Sequence, residues 1–194
     1  MKMSNWKIIE SEYVVKRPWL TARRDKVELS DGRIIPEYYV LEYPDWVNVI
    51  AHTKDGRFVM ERQYRHAAGM TAFELPCGVV ERGETPLDAA RRELLEETGY
   101  GGGVWRKLMT ISANPGTMTN WTHCFVAEGV EKLAAPNLDA TEELSVHLLG
   151  QAEVKRLLSE GGIVQSLMVA PLWRYFSEAD SAVVEALPTS FREG

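Results

Sequence analysis

One stretch of this chain constrains it more than any other, Gly78 to Tyr100, GVVERGETPLDAARRELLEETGY. Its second half reads as a helix. Thr85 is a good N-cap, Pro86 suits the first helical position, and Asp88 stands three residues after the cap. Leu87, Ala90 and Leu94 recur at helical spacing and require a core on one side. Gly99, able to take a left-handed cap, stops the helix. Glu93, Glu96 and Glu97 follow the spacing i, i+3, i+4, so three like charges share a face and repel one another. Glu93 and Glu97 also lie in the half of the helix where its dipole disfavours anions. Such an arrangement needs compensation, and a hard divalent cation, Mg2+ or alternatively Mn2+, suits carboxylate oxygens. Because Mg2+ also engages phosphate oxygens, the pattern points to phosphoryl chemistry.

The rest of the chain fits a soluble enzyme. Its 194 residues, 45% hydrophobic and 26% charged, allow one domain with a substantial core plus extra arms. No apolar stretch approaches a membrane span, and Met1 to Trp6 lacks the apolar core of an export signal. Two cysteines, Cys77 and Cys124, make neither a disulfide framework nor a zinc cluster, and a reducing cytoplasm is the simplest setting. A net charge of -6 argues against nucleic acid as a partner. It leaves room for an anionic small molecule, because a bound cation inverts the local field.

Hydrophobic alternation and turn residues divide the chain. Residues 8–43, with a turn at Ser30-Asp31-Gly32, read as three short strands in an N-terminal arm. Strands are expected at 46–53 and 57–65, joined by an Asp55-Gly56 hairpin, with a short extended piece at 72–76. Further strands are expected at 104–113, 121–128 and 144–149, and helices near 151–158 and 164–178, separated by Gly161-Gly162. The expected division is an arm over 1–43, a catalytic domain over 44–180 and a surface tail over 181–194. Strands flanked by helices on both sides imply an α/β fold, an α/β/α sandwich with a mixed sheet.

The spacing Gly78, five residues, Glu84, seven residues, Arg92-Glu93-Leu94-x-Glu96-Glu97-x-Gly99-Tyr100 resembles the signature of the Nudix hydrolase family at every fixed position. The resemblance implies Glu93 and Glu97 as the main metal ligands, with Glu96 assisting. It implies that Arg92 pairs with Glu84 and holds the loop to the helix, and that Cys77, just before the first glycine, offers its backbone carbonyl to a metal. Relatives more often have alanine or glycine there, and the Cys77 side chain reads as a small buried hydrophobe. Gly78, Glu84 and Gly99 are the structural positions of the motif.

The flanks narrow the substrate. RQYRH at 62–66, Glu74-Leu75-Pro76 before Gly78, and Pro115 sixteen residues after Gly99 resemble the ADP-ribose pyrophosphatase and nucleoside-diphosphate-sugar branch. That branch implies substrate contacts at Arg65, Glu74 and Pro115, and a base gripped by aromatic groups of an arm through which the protein forms a homodimer. Trp19 is the first candidate for that grip. Arg62 and Arg65 are both suited to a diphosphate, because guanidinium forks match phosphate oxygens. Strand alternation puts them on opposite faces, and Arg65 is preferred. The acidic stretch 137–143 offers a catalytic base, Glu142 first and Asp139 second, although the branch's own base position falls near Ala140. The expected reaction splits ADP-ribose into AMP and ribose 5-phosphate, with Glu96, Glu97, Glu142 and Arg92 as the catalytic set. GDP-mannose or another sugar nucleotide is the alternative substrate. A nucleotide-sensing module without catalysis is the alternative of another class. The intact motif and the lack of an attached basic domain speak against it. An isopentenyl diphosphate isomerase, which shares the fold, would need a pattern that His52, His66, His123 and His147 do not show.

Overall fold

A computed structural model describes residues 5–185, with side chains through Glu178. It divides into two compact units. The first contains the chain up to Asp45 together with Ser112–Trp121. Three strands, β1 (Lys7–Arg17), β2 (Leu20–Glu28) and β3 (Ile34–Glu42), form an antiparallel sheet in that order. They run for 11, 9 and 9 residues, longer than the short strands expected. Pro18 and Trp19 turn β1 into β2, and the Ser30–Gly32 turn uses Gly32 at a φ of 85°. Ion pairs lace the sheet: Arg24 joins Glu12 and Glu37, and Lys26 reaches Glu10 at 3.2 Å. The segment Ser112–Trp121 is fastened here by backbone bonds, Leu41 N–H to Thr117 O (2.7 Å) and Thr119 N–H to Leu41 O (3.1 Å). The Tyr38 hydroxyl donates to Gly116 O, and the Trp121 amide donates to Asp45 at 2.9 Å. The strand expected over 104–113 therefore stops at Ile111, where the chain leaves its own sheet.

The second unit is built on an eight-stranded mixed sheet. Its strands are β4 (Trp46–Thr53), β5 (Phe58–Arg65), β6 (Met70–Glu74), β7 (Cys77–Val79), β8 (Tyr100–Gly101), β9 (Val104–Ile111), β10 (Thr122–Lys132) and β11 (Leu144–Leu149). The path β11-β5-β4-β10-β8 carries β6 beside β5, β7 beside β4 and β9 beside β10. The β4–β10 pair is parallel and the others are antiparallel. Residues 47–51 of β4 are all buried, as a central strand covered on both faces requires.

Alternation along the strands sorts two cores. Val47, Val49, Ala51 and Val59 pack with Ala89, Ala90 and Leu94 of helix α1 (Pro86–Thr98). Ile50, Met60, Val126 and Leu149 pack with Val154, Leu157 and Leu158 of α2 (Gln151–Glu160) and with Met168, Leu172 and Phe176 of α3 (Ser166–Glu185). The result is an α/β/α sandwich. Pro171 lies inside α3 and has no N–H for the carbonyl four residues earlier, Leu167 O. The buried Asn48 amide of β4 donates to that oxygen at 2.6 Å. Of the tail expected over 181–194, residues 181–185 continue α3, and 186–194 lie outside the described residues.

Candidate active site

Helix α1 is fixed at both ends by its own sequence. The Thr85 hydroxyl accepts from the Asp88 amide at 3.2 Å and donates to the Asp88 carboxylate at 2.6 Å. Gly99 takes a φ of 70° and its N–H reaches Leu95 O at 2.7 Å. With the apolar stripe on the sheet, the acids divide. Glu93 (9% exposed) and Glu97 (5%) are buried, and Glu96 stays at the rim. A Cβ at Gly78 would overlap the Glu93 carboxyl group, so the glycine keeps open the space that this acid fills.

Arg92 ties the helix to the preceding loop. Its Nε and Nη2 hold the two oxygens of Glu84 at 2.9 and 3.0 Å, and Nη2 also donates to Val79 O at 3.0 Å. Its Nη1 reaches Glu93 at 2.7 Å and Glu96 at 3.1 Å. The bonds to Glu84 raise the Arg92 pKa further above its ordinary value and lower that of Glu84.

The buried acids titrate unusually. Burial pushes Glu93 up to about 7, and the charges of Glu96 and Glu142 act in the same direction. Glu97 is raised by burial and by the charge of Glu61, although the Cys77 amide donates to it at 2.8 Å. Glu61, on β5, is raised by burial and by the charges of Glu74, Glu142 and Glu93, while the neighbouring Glu97 carboxyl group acts the other way. Glu61 is fully buried, and neither of its oxygens has a hydrogen-bond partner. Among the described residues, no three acidic, thiol or imidazole groups already converge as a metal cage. Arg92 engages Glu93 and Glu96, and the Cys77 amide engages Glu97. The donor set nonetheless fits a hard cation. It is anionic and all oxygen, and it includes two buried oxygens that nothing satisfies.

Strand β5 sorts the two arginines. Arg65 and Gln63 alternate with Arg62 and Tyr64, and Arg65 lies on the face of Val59 and Glu61, the face toward α1. Arg65 Nε donates to Glu74 at 2.8 Å, its Nη2 donates to the other oxygen, and Gln63 adds a bond at 3.3 Å. The bonds to Glu74 raise the Arg65 pKa. Glu74 is buried with both oxygens engaged, which places it behind Arg65 as its support and not at an open surface. Arg62 lies over the Phe73 ring at 5.9 Å. Glu142 accepts from the Asp139 amide at 2.9 Å, and its charge acts on Glu61, Glu93 and Glu97. In the arm unit, Trp19 is 83% exposed at the β1–β2 turn, and Pro115 is exposed in the loop fastened to β3.

Residues 42–170 match the family model described as NUDIX domain. The chain belongs to the Nudix hydrolase family. Residues 6–41 match a second model, described as nucleoside diphosphate sugar hydrolase N-terminal domain. This Nudix chain is 32% identical over 169 residues to the methanol dehydrogenase activator of Bacillus methanolicus, covering 87% of this chain and 91% of the relative. It is 30% identical over 172 residues to an ADP-ribose pyrophosphatase of Mycobacterium tuberculosis, covering 88% and 83%. It is 32% identical over 133 residues to an ADP-ribose pyrophosphatase of Bacillus subtilis, covering 69% and 71%. A crystal structure of an ADP compounds hydrolase superposes with a TM-score of 0.83 at 20% identity, covering 94% of this chain and 98% of the other, a likeness of fold.

The structure joins to the Nudix helix one acid that sequence reasoning missed, Glu61. The signal was present in FVMERQYR. Val59 faces α1, and alternation puts residue 61 on the same covered side, where a charge is out of place. Cys77 and Cys124 are free, buried thiols, and Cys77 sits in the apolar cluster under α2 and α3. Burial raises both thiol pKa values, Cys124 to about 12.

Proposed function

We propose that this Nudix hydrolase cleaves the pyrophosphate bond of a nucleoside-diphosphate sugar in a Mg2+-dependent reaction, with ADP-ribose giving AMP and ribose 5-phosphate. The observation that carries the reading is the pair of buried acids Glu93 and Glu97 on the helix, on the face of the sheet to which β5 turns Arg65. Similarity to ADP-ribose pyrophosphatases over most of the chain supports the substrate class.

In this reading Glu93 and Glu97 hold the cation, with Glu96 and the Cys77 carbonyl assisting. Bound there, Mg2+ neutralises diphosphate charge and makes a water molecule more acidic. Arg65, oriented by Glu74, presents its fork to the diphosphate oxygens. Glu142, or Glu96 from the rim, accepts the proton of the attacking water. A P–O bond forms to that water, and the P–O bond to the bridging oxygen breaks. Arg92 keeps loop and helix in register during this exchange. Trp19 is the proposed stacking platform for the base, and Pro115 a further substrate contact. The arm is the proposed homodimer interface.

The test is a panel of ADP-ribose, ADP-glucose and GDP-mannose with Mg2+, its products separated by chromatography. AMP and ribose 5-phosphate should appear fastest, and Glu97→Gln should fold while losing about 10²–10⁴-fold in turnover. Faster release of GMP from GDP-mannose would move the assignment to that substrate. Tight binding with no product from any of the three would overturn the hydrolytic reading.

A further inference from the structure

Among the described residues, Glu61 is a buried acid on this face that the proposed reaction leaves idle. It projects from β5 on the side of Val59, whose neighbours are Ala89, Ala90 and Leu94 of α1. It is fully buried, and both carboxylate oxygens lack a hydrogen-bond partner. Buried carboxylates are ordinarily paired or hydrogen-bonded, because water is lost on burial and nothing else replaces it. The two arginines of this face are committed elsewhere, Arg65 to Glu74 and Arg92 to Glu84, Glu93 and Glu96. What surrounds Glu61 is acidic: it interacts with Glu97, Glu74, Glu142 and Glu93, and its oxygens do not meet hydrogen-bond geometry with Glu97. A residue that served packing alone would be apolar here, as Val59 is two positions earlier.

We propose that Glu61 is a further ligand of the divalent-cation site, a carboxylate supplied by the sheet that shares a cation with Glu97 of the helix. The inference rests on the metal-dependent reading above and deepens it. Glu61, with both oxygens unpartnered, and Glu97, which the Cys77 amide holds by one oxygen, would offer a hard cation carboxylate oxygens from two elements, and such a cation would tie β5 to α1. Residues 61, 63 and 65 share one strand face, so the strand that grips the cation also presents the Arg65 fork.

The probe is Mn2+, counted on the purified protein by electron paramagnetic resonance and followed in parallel by thermal melts with and without the ion. The wild type, Glu61→Gln and Glu97→Gln are compared, with circular dichroism reporting the fold. Glu61→Gln is expected to lose one bound Mn2+ or to bind it at least about tenfold more weakly, and to show a smaller Mn2+-induced rise in Tm. Equal number and affinity in Glu61→Gln and wild type overturns the proposal, whatever happens to turnover. If Glu61→Gln does not fold, a wild-type crystal soaked in Mn2+ settles the matter. An anomalous peak about 2.0–2.3 Å from a Glu61 oxygen supports it. A peak at Glu93 and Glu97, with Glu61 outside coordination distance, overturns it. A wild type that binds no Mn2+ at all overturns the metal-dependent reading and this inference together, whereas loss of binding in Glu97→Gln alone overturns only this one.

Discussion

Single residues around the acids act through space as much as through charge. Gly78 does not take a positive φ, so alanine is allowed there by the backbone. The obstacle is the Glu93 carboxyl group, which a methyl would displace. Because the displaced group is the end of a flexible side chain, Gly78→Ala should leave the melting temperature within a few degrees. It should lower kcat/KM about 10–100-fold by displacing Glu93, the proposed cation ligand. A loss of stability with activity intact would contradict the argument. Arg65 makes the complementary case. Arg65→Lys keeps the charge and loses the fork, so KM should rise about tenfold with little change in stability. Arg65→Ala leaves the buried Glu74 with only Gln63 and should cost about 3 kcal/mol in denaturant titrations. Much at this scale could be read from the chain, because helix spacing puts Glu93, Glu96 and Glu97 on one face and the resemblance of the motif implied the Arg92–Glu84 pair. Glu61 and the Arg65–Glu74 pair were harder, because partnership across strands depends on register, which the linear sequence does not display.

Elements show where local rules suffice. The ends of α1 follow from Thr85, Pro86 and Gly99 alone. The three-residue β7 and two-residue β8 exist only because β4 and β10 pair with them, and no periodicity can reveal strands so short. The support of Leu167 O by Asn48 spans 119 positions and is equally invisible beforehand. Packing α1 on its sheet also has a consequence for pH. Burial raises the pKa values of Glu61, Glu93 and Glu97, Glu93 to about 7. The folded protein therefore keeps protons that the unfolded chain has released, and each such group withdraws stability as pH rises through its folded pKa. The contrary shifts lie outside the window above pH 6.5. Glu84, held low by Arg92, is ionised throughout, and the half-buried His52, whose pKa burial lowers, exerts its contrary effect mostly at lower pH. In EDTA, Tm should fall between about pH 6.5 and 8.5. Added Mg2+ should raise it more at the upper end, because the ion takes the place of protons. A Tm in EDTA that climbs across this range would refute the account.

At the level of the whole molecule, the sandwich was legible because apolar strand segments are interleaved with helices that carry apolar stripes. The three-stranded arm was legible as strands but not in its extent. Its surface carries Ile8, Val14, Trp19 and Leu20 well exposed, more apolar edge than an isolated sheet needs. Light scattering at micromolar concentration should therefore give a dimer, and Val14→Glu should shift it toward monomer. A wild-type monomer with full activity would remove the arm from the proposal. What no reading of strand patterns conveys is that Ser112–Trp121 belongs with the arm. The polypeptide passes between the two units three times, after Asp45, after Ile111 and after Trp121. A chimera that exchanges arms between relatives must therefore move two segments, 1–45 and 112–121, as one inheritable cassette. Transplanting the first alone would leave the Pro115 loop without the strand that shapes it, and a defect in the hybrid would then be misread as a change of substrate preference.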